Sequence, residues 1–141
     1  MQLSKHTDYS LRVLMYLGCH PNDQLAKVSD ISARYDISQN HLVKVVHRLG
    51  KLGYVQTIRG KNGGIRLQRA PGSINLGQLV IDMEATVTPI NCQQEGCILT
   101  GMCHLKPILD EAMNAFLDTM RQYSLADLMK NSPQLIQRFR L

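Results

Sequence analysis

The chain has 141 residues, 44% of them hydrophobic and 19% charged. That suits one domain, or one small domain with an appended element, and excludes a disordered chain. Its net charge of +5 divides unevenly: residues 1–70 hold 11 Lys and Arg against 4 Asp and Glu (+7), and residues 71–141 hold 5 against 7 (−2), so the first half is expected to meet a polyanion.

Residues 3–19 read as a helix, with Leu11, Leu14, Met15 and Gly18 on one face and His20-Pro21-Asn22 as its stop. The polar first half of this segment lacks the pattern of a signal peptide, and no apolar run reaches the roughly 20 residues that span a bilayer. A cytoplasmic location without a membrane partner is therefore expected. Residues 28–34 form a second, short helix with Val28 and Ile31 inward. A tight turn at Tyr35-Asp36-Ile37 follows, in which Asp36 tolerates the left-handed backbone that glycine often takes there. Ser38 is the expected N-cap of a third helix, its hydroxyl accepting an amide of the first turn. In that helix Leu42, Val45, Val46, Leu49 and Leu52 make an apolar stripe, and Asn40, Lys44, His47 and Lys51 make the opposite face. β-prone residues on both sides of Gly60-Lys61-Asn62-Gly63-Gly64 predict a hairpin over 54–68. Pro71-Gly72 breaks the chain where the charge changes sign. Leu76, Leu79, Val80 and Met83 predict a short helix, while residues 85–103 show no period. Residues 104–123 read as a long amphipathic helix with Pro107 in its first turn. Its seam is Leu105, Leu109, Ala112, Phe116, Met120 and Tyr123. Ser124-Leu125-Ala126-Asp127 resembles a capping box, and the tail from Ser132 is expected to fray.

Helix, helix, tight turn, helix and hairpin is the order of a winged helix–turn–helix, with the helix–turn–helix at about 28–51 and the wing at 54–68. The third helix is expected to enter the major groove of double-stranded DNA. Ser38, Gln39, Asn40, His41, Lys44 and His47 are the candidate contacts there, Gln39 and Asn40 offering paired donors and acceptors suited to adenine. At the hairpin tip Arg59, Lys61 and Asn62 sit among glycines that let the backbone approach a phosphate or a narrow minor groove. The apolar stripes are of core type and aromatics are few, so a membrane surface is the weaker polyanion.

Cys92, Cys97 and Cys103 are spaced C-x4-C-x5-C, and three thiols within twelve residues point to a metal. Iron–sulfur and structural zinc are the rivals. Zinc favours four local ligands, and only His104 could complete them, strained by its adjacency to Cys103. Cys19 lies on the apolar side of the first helix and reads as a buried thiol. No hydrolytic arrangement and no glycine-rich cofactor loop stands out, so an enzyme is not expected.

The Thr7-Asp8-Tyr9 start of the first helix, the segment Arg59-Gly60-Lys61-Asn62-Gly63-Gly64-Ile65-Arg66-Leu67 and the three-cysteine loop before a long helix resemble the winged-helix iron–sulfur regulators that include IscR. The likeness runs from Met1 to about Met129. It implies a mainly α fold in three parts: residues 1–70 as the DNA-binding domain, 71–103 as connecting helix and cluster loop, and 104–141 as dimerisation helix and tail. It implies a homodimer on a palindromic operator. It also implies an iron–sulfur cluster on Cys92, Cys97 and Cys103, for which 2Fe–2S is preferred and 4Fe–4S stays open. The fourth ligand it implies is Asp8 of the partner subunit, with His104 the weaker candidate. Read by itself, Asp8 is a carboxylate favoured by the start of a helix. Nitric oxide is the implied effector, releasing a repressor from DNA. The alternatives are a regulator of this fold that senses iron–sulfur or redox status or carries structural zinc, and an iron–sulfur redox protein.

Overall fold

The computed structural model describes residues 2–21, 24–92 and 96–141. Met1, Asn22 of the expected helix stop and Gln93-Gln94-Glu95 of the cysteine loop lie outside the described residues.

Helix α1 (Lys5–Cys19) starts where Ser4 Oγ accepts from the Thr7 amide at 3.2 Å, and it ends at His20. It buries more than the expected stripe: Val13, Leu14, Tyr16 and Leu17 are all in the core, while Leu11 and Met15 are half-buried. The excess arises because α1 is central, packing on α3, α4, α6, α7 and the wing. Helix α2 (Val28–Tyr35) ends at Asp36, whose φ of 52° is the left-handed turn expected there. Helix α3 (Gln39–Lys51) buries Leu42, Val45, Val46 and Leu49 as its stripe requires. Ser38 precedes it but makes no side-chain cap. Its backbone carbonyl takes the amides of His41 and Leu42 instead, at 3.1 and 3.2 Å, and the side chain stays exposed.

Strands β1 (Val55–Ile58) and β2 (Gly64–Leu67) pair antiparallel, from Val55 opposite Leu67 to Ile58 opposite Gly64. The turn between them is wider than a two-residue Asn-Gly hairpin: Gly60 takes φ 111° and its carbonyl accepts from Gly63 at 2.9 Å. The wing is fixed to the helical unit by a bridge between Ile65 and Ala26, with both amide–carbonyl bonds made at 2.9 and 2.8 Å. A Cβ on Gly64 would lie 2.6 Å from the Ala26 carbonyl oxygen, so only glycine allows that approach.

A single 3-10 turn at Pro71–Ser73 leads to α4 (Leu76–Met83), capped by Asn75. After the loop that carries the cysteines comes α5 (Leu105–Arg121), starting one residue later and ending two earlier than expected, with Pro107 in its first turn. The expected seam is not buried within the chain. Leu117 is the one buried residue of α5, Leu109, Phe116 and Met120 are half-buried, and Leu105 is 57% exposed. Helix α6 (Leu125–Leu128) opens with the capping box expected at Ser124 and Asp127.

The tail does not fray. Residues Ser132–Phe139 form helix α7, and Phe139 is buried between Tyr16 and Tyr35, with ring centroids at 5.3 and 5.6 Å. One large apolar side chain docked among aromatic rings offsets the loss of chain entropy that would otherwise leave the terminus loose. The buried cluster is continuous from Val13 to Phe139 and draws on both sides of Pro71.

Candidate nucleic-acid interface and cysteine pocket

Burying the stripe of α3 turns its polar face outward. Ser38, Gln39, Asn40, His41, Lys44 and His47 are all exposed, as are Arg59, Lys61 and Asn62 at the wing tip. The bridge at Ala26 ties the wing to the segment that leads into α2, and β1 packs on α3. The base of the unit is set by Arg48, a residue that no sequence pattern singles out. Its Nη2 donates to the Asp82 carbonyl at 2.6 Å, and the Tyr54 hydroxyl donates to Asp82 Oδ2 at 2.6 Å. Burial, together with the Asp82 carboxylate, pushes the Tyr54 hydroxyl well above its ordinary value, so it stays a donor. The end of α4 thus grips both the reading helix and the wing. The joint is invisible locally because Arg48 and Asp82 are 34 residues apart.

The three loop cysteines come together. Cys92, Cys97 and Cys103, all half-buried, line a pocket of about 190 Å³ with Thr100, Gly101, Lys106 and Pro107. The loop is folded back by Cys97 N–H to Cys92 C=O at 3.4 Å, and Gly96 and Gly101 take φ of 57° and 91°. Among the described residues no three His, Cys, Asp or Glu are drawn in to the spacing of a single metal ion. Zinc would need its sulfurs about 2.3 Å away. Three soft thiol donors lining one pocket fit the ligand chemistry of an iron–sulfur cluster. Lys106 also belongs to this pocket. Its hydrogen bond with Asp110 raises its pKa, with a smaller contribution from Cys92. The i, i+4 pairing of Lys106 with Asp110 is visible in the sequence; its proximity to the cysteines is not.

Neither non-cysteine candidate lines the pocket. Asp8, in the first turn of α1, is paired with Arg12 at 3.0 Å, and both side chains are partly exposed. His104 sits exposed just before α5 without capping it. Cys19 is buried, with its thiol pushed up by desolvation, as a core thiol should be.

The sequence model of the Rrf2 family, described as "Iron-dependent Transcriptional regulator", matches residues 3–131. The chain belongs to the Rrf2 family. Rrf2 proteins similar to it include the "HTH-type transcriptional regulator NsrR" of Halalkalibacterium halodurans, 46% identical over 138 residues, covering 96% of this chain and 94% of that protein. The protein of the same name from Bacillus subtilis is 42% identical over 140 residues, covering 97% and 96%. The fold is shared with solved structures of other regulators. The global cysteine regulator CymR of B. subtilis superposes with a TM-score of 0.75 at 22% identity, covering 91% of this chain and 95% of that one. IscR of T. potens gives 0.75 at 20% identity, covering 94% and 88%. The chain is thus an Rrf2 transcriptional regulator with a mainly α, winged-helix fold. No helix among the described residues is long and apolar enough to cross a membrane.

Proposed function

We propose that this regulator is a cytoplasmic, nitric-oxide-sensing repressor. It binds a palindromic operator as a homodimer and holds an iron–sulfur cluster, 2Fe–2S in preference to 4Fe–4S. The observation that carries the reading is the shared pocket of Cys92, Cys97 and Cys103, in one chain with an exposed basic reading face. These three residues supply thiolates, and Asp8 of the partner subunit supplies the fourth ligand, with His104 the weaker choice. Bound iron supplies the point at which nitric oxide reacts.

The chain's own residues do the rest. Lys106 offsets the negative charge of the thiolates. The loop leaves α4 just past Asp82 and Glu84. Asp82 holds Arg48 of α3 and Tyr54 beside the wing, and Glu84 accepts from the Ser4 amide at 2.8 Å. A displaced loop is therefore felt at α1, α3 and the wing together. Ser38, Gln39, Asn40, His41, Lys44 and His47 enter the major groove and meet base edges or phosphates, and Arg59, Lys61 and Asn62 hold the adjacent backbone or minor groove. A hundredfold loss of affinity, about 3 kcal/mol, switches a repressor off. Releasing a few phosphates supplies that.

The test uses protein purified without oxygen and a duplex that it selects from a random pool. Expected are iron and sulfide in the protein, a coloured spectrum, and release of the duplex on titration with nitric oxide. Colourless, zinc-loaded protein, or binding that nitric oxide leaves unchanged, overturns the proposal.

A further inference from the structure

The crossing of α1 and α3 leaves a notch of about 150 Å³ lined by Lys5, His6, Tyr9, His41, Lys44 and Val45. Every titratable group that lines it is a base or a phenol, and no carboxylate does. Lys5 and Lys44 are exposed, on different helices, and facing one space, so their charges add there. The ring of Tyr9 lies against that of His41, with centroids 6.4 Å apart. Lys5, Lys44, His6, His41 and Tyr9 all bring N–H or O–H donors to the notch. Glu84 does not line the notch and is engaged with the Ser4 amide.

Among the described residues neither Lys5 nor Lys44 is paired with a carboxylate, and both lie beside the reading face. We infer that this notch seats a phosphodiester of the DNA backbone, with Lys5 and Tyr9 of α1 and Lys44 and His41 of α3 around it. The inference rests on α3 being the reading helix and adds α1 to the DNA-binding surface. It divides the labour on α3: Lys44 and His41, turned toward α1, hold backbone, while Gln39, Asn40 and His47 are left for base edges. Such a grip carries no sequence information, but it fixes how deep α3 sits and its angle in the groove. It also places α1, the helix that carries Asp8, directly on the DNA.

Each phosphate that a protein no longer neutralises takes about 0.9 from the slope of log affinity against log salt. The full-length, cluster-loaded protein, its Lys5→Gln variant and its Asn40→Ala variant are titrated with the selected duplex and a scrambled one over a range of salt. Expected for Lys5→Gln is an equal, roughly three- to tenfold loss on both duplexes and a slope shallower by about one. Asn40→Ala should instead lose the preference between duplexes and keep its slope. Lys5 is exposed, so the fold is undisturbed, and circular dichroism checks this. The imidazole resonances of His6 and His41 identify the source of the phosphate. Shifts with duplex but not with inorganic phosphate at matched ionic strength assign the notch to DNA. Equal shifts with both mark a free-anion site and overturn the inference. An unchanged slope in Lys5→Gln, with Asn40→Ala still impaired, overturns this inference alone. Failure of the unaltered protein to select any duplex overturns the functional reading with it.

Discussion

Glu84 ties the end of α4 to the start of α1. Its Oε1 accepts from the Ser4 amide at 2.8 Å, while Ser4 Oγ caps the Thr7 amide. Burial pushes the Glu84 carboxyl up, but hydrogen bonds from Thr7 and Ser4 outweigh it and hold the group below its ordinary value. A carboxylate whose folded pKa is depressed binds fewer protons folded than unfolded. Its contribution is therefore present above the unfolded pKa, about 4.3 for Glu, and is lost as pH falls through the folded value. Glu84→Gln keeps the shape and removes the charge. The variant should be less stable by about 1 kcal/mol at neutral pH, a charge-assisted hydrogen bond discounted for partial exposure. Thermal unfolding followed by circular dichroism should show the gap between the two proteins narrowing as the solution is acidified through the carboxylate range. A constant gap would mean that shape, not charge, carries the joint.

Helix α7 is an element whose stability comes from one docked side chain. Phe139 is 7% exposed against Tyr16 and Tyr35, and Tyr35 in turn donates to the Arg12 carbonyl at 3.1 Å. Truncation to alanine leaves a cavity, and a cost of about 3 kcal/mol is expected for Phe139→Ala in urea unfolding. A tail without a packing role would show no change in the midpoint. The contrast with α3 explains what was legible. In α3 four buried residues recur at helical spacing across 13 residues, so the period shows its face at once. Helix α7 has eight residues and one fully buried anchor, too few for a period, and its partners lie more than a hundred residues earlier. The wing and its five-residue turn were legible from the glycines; the turn falls at 59–63 rather than 60–64, because Gly64 pairs with Ile58 and opens β2. Likewise the cysteine spacing announced the pocket, whereas Lys106 and the Asp82 joint depend on packing that no local pattern encodes.

At the scale of the molecule, α5 is the element the single chain leaves unfinished. Leu105 and Ile108 are 57% and 60% exposed, and Ala112 is exposed between them and half-buried Phe116. Of the seam expected from the sequence, Leu105, Ala112 and Tyr123 are exposed, and with Ile108 they leave an apolar strip that a second copy would cover in the proposed homodimer. A carboxylate placed there costs a monomer little, because the site faces water. Buried in a pair it would meet its own copy as a like charge without a partner. Ala112→Glu should therefore keep the melting curve of a folded chain but sediment as a monomer at concentrations where the unaltered protein is a dimer. A palindromic operator gains from two linked reading heads mainly through effective concentration, which exceeds the single-head affinity by about 10²–10⁴. Operator affinity of the variant should fall into that range of loss, while binding to an isolated half-site stays near that of one head. If Ala112→Glu remains dimeric and keeps full operator affinity, α5 is not the surface through which two copies meet.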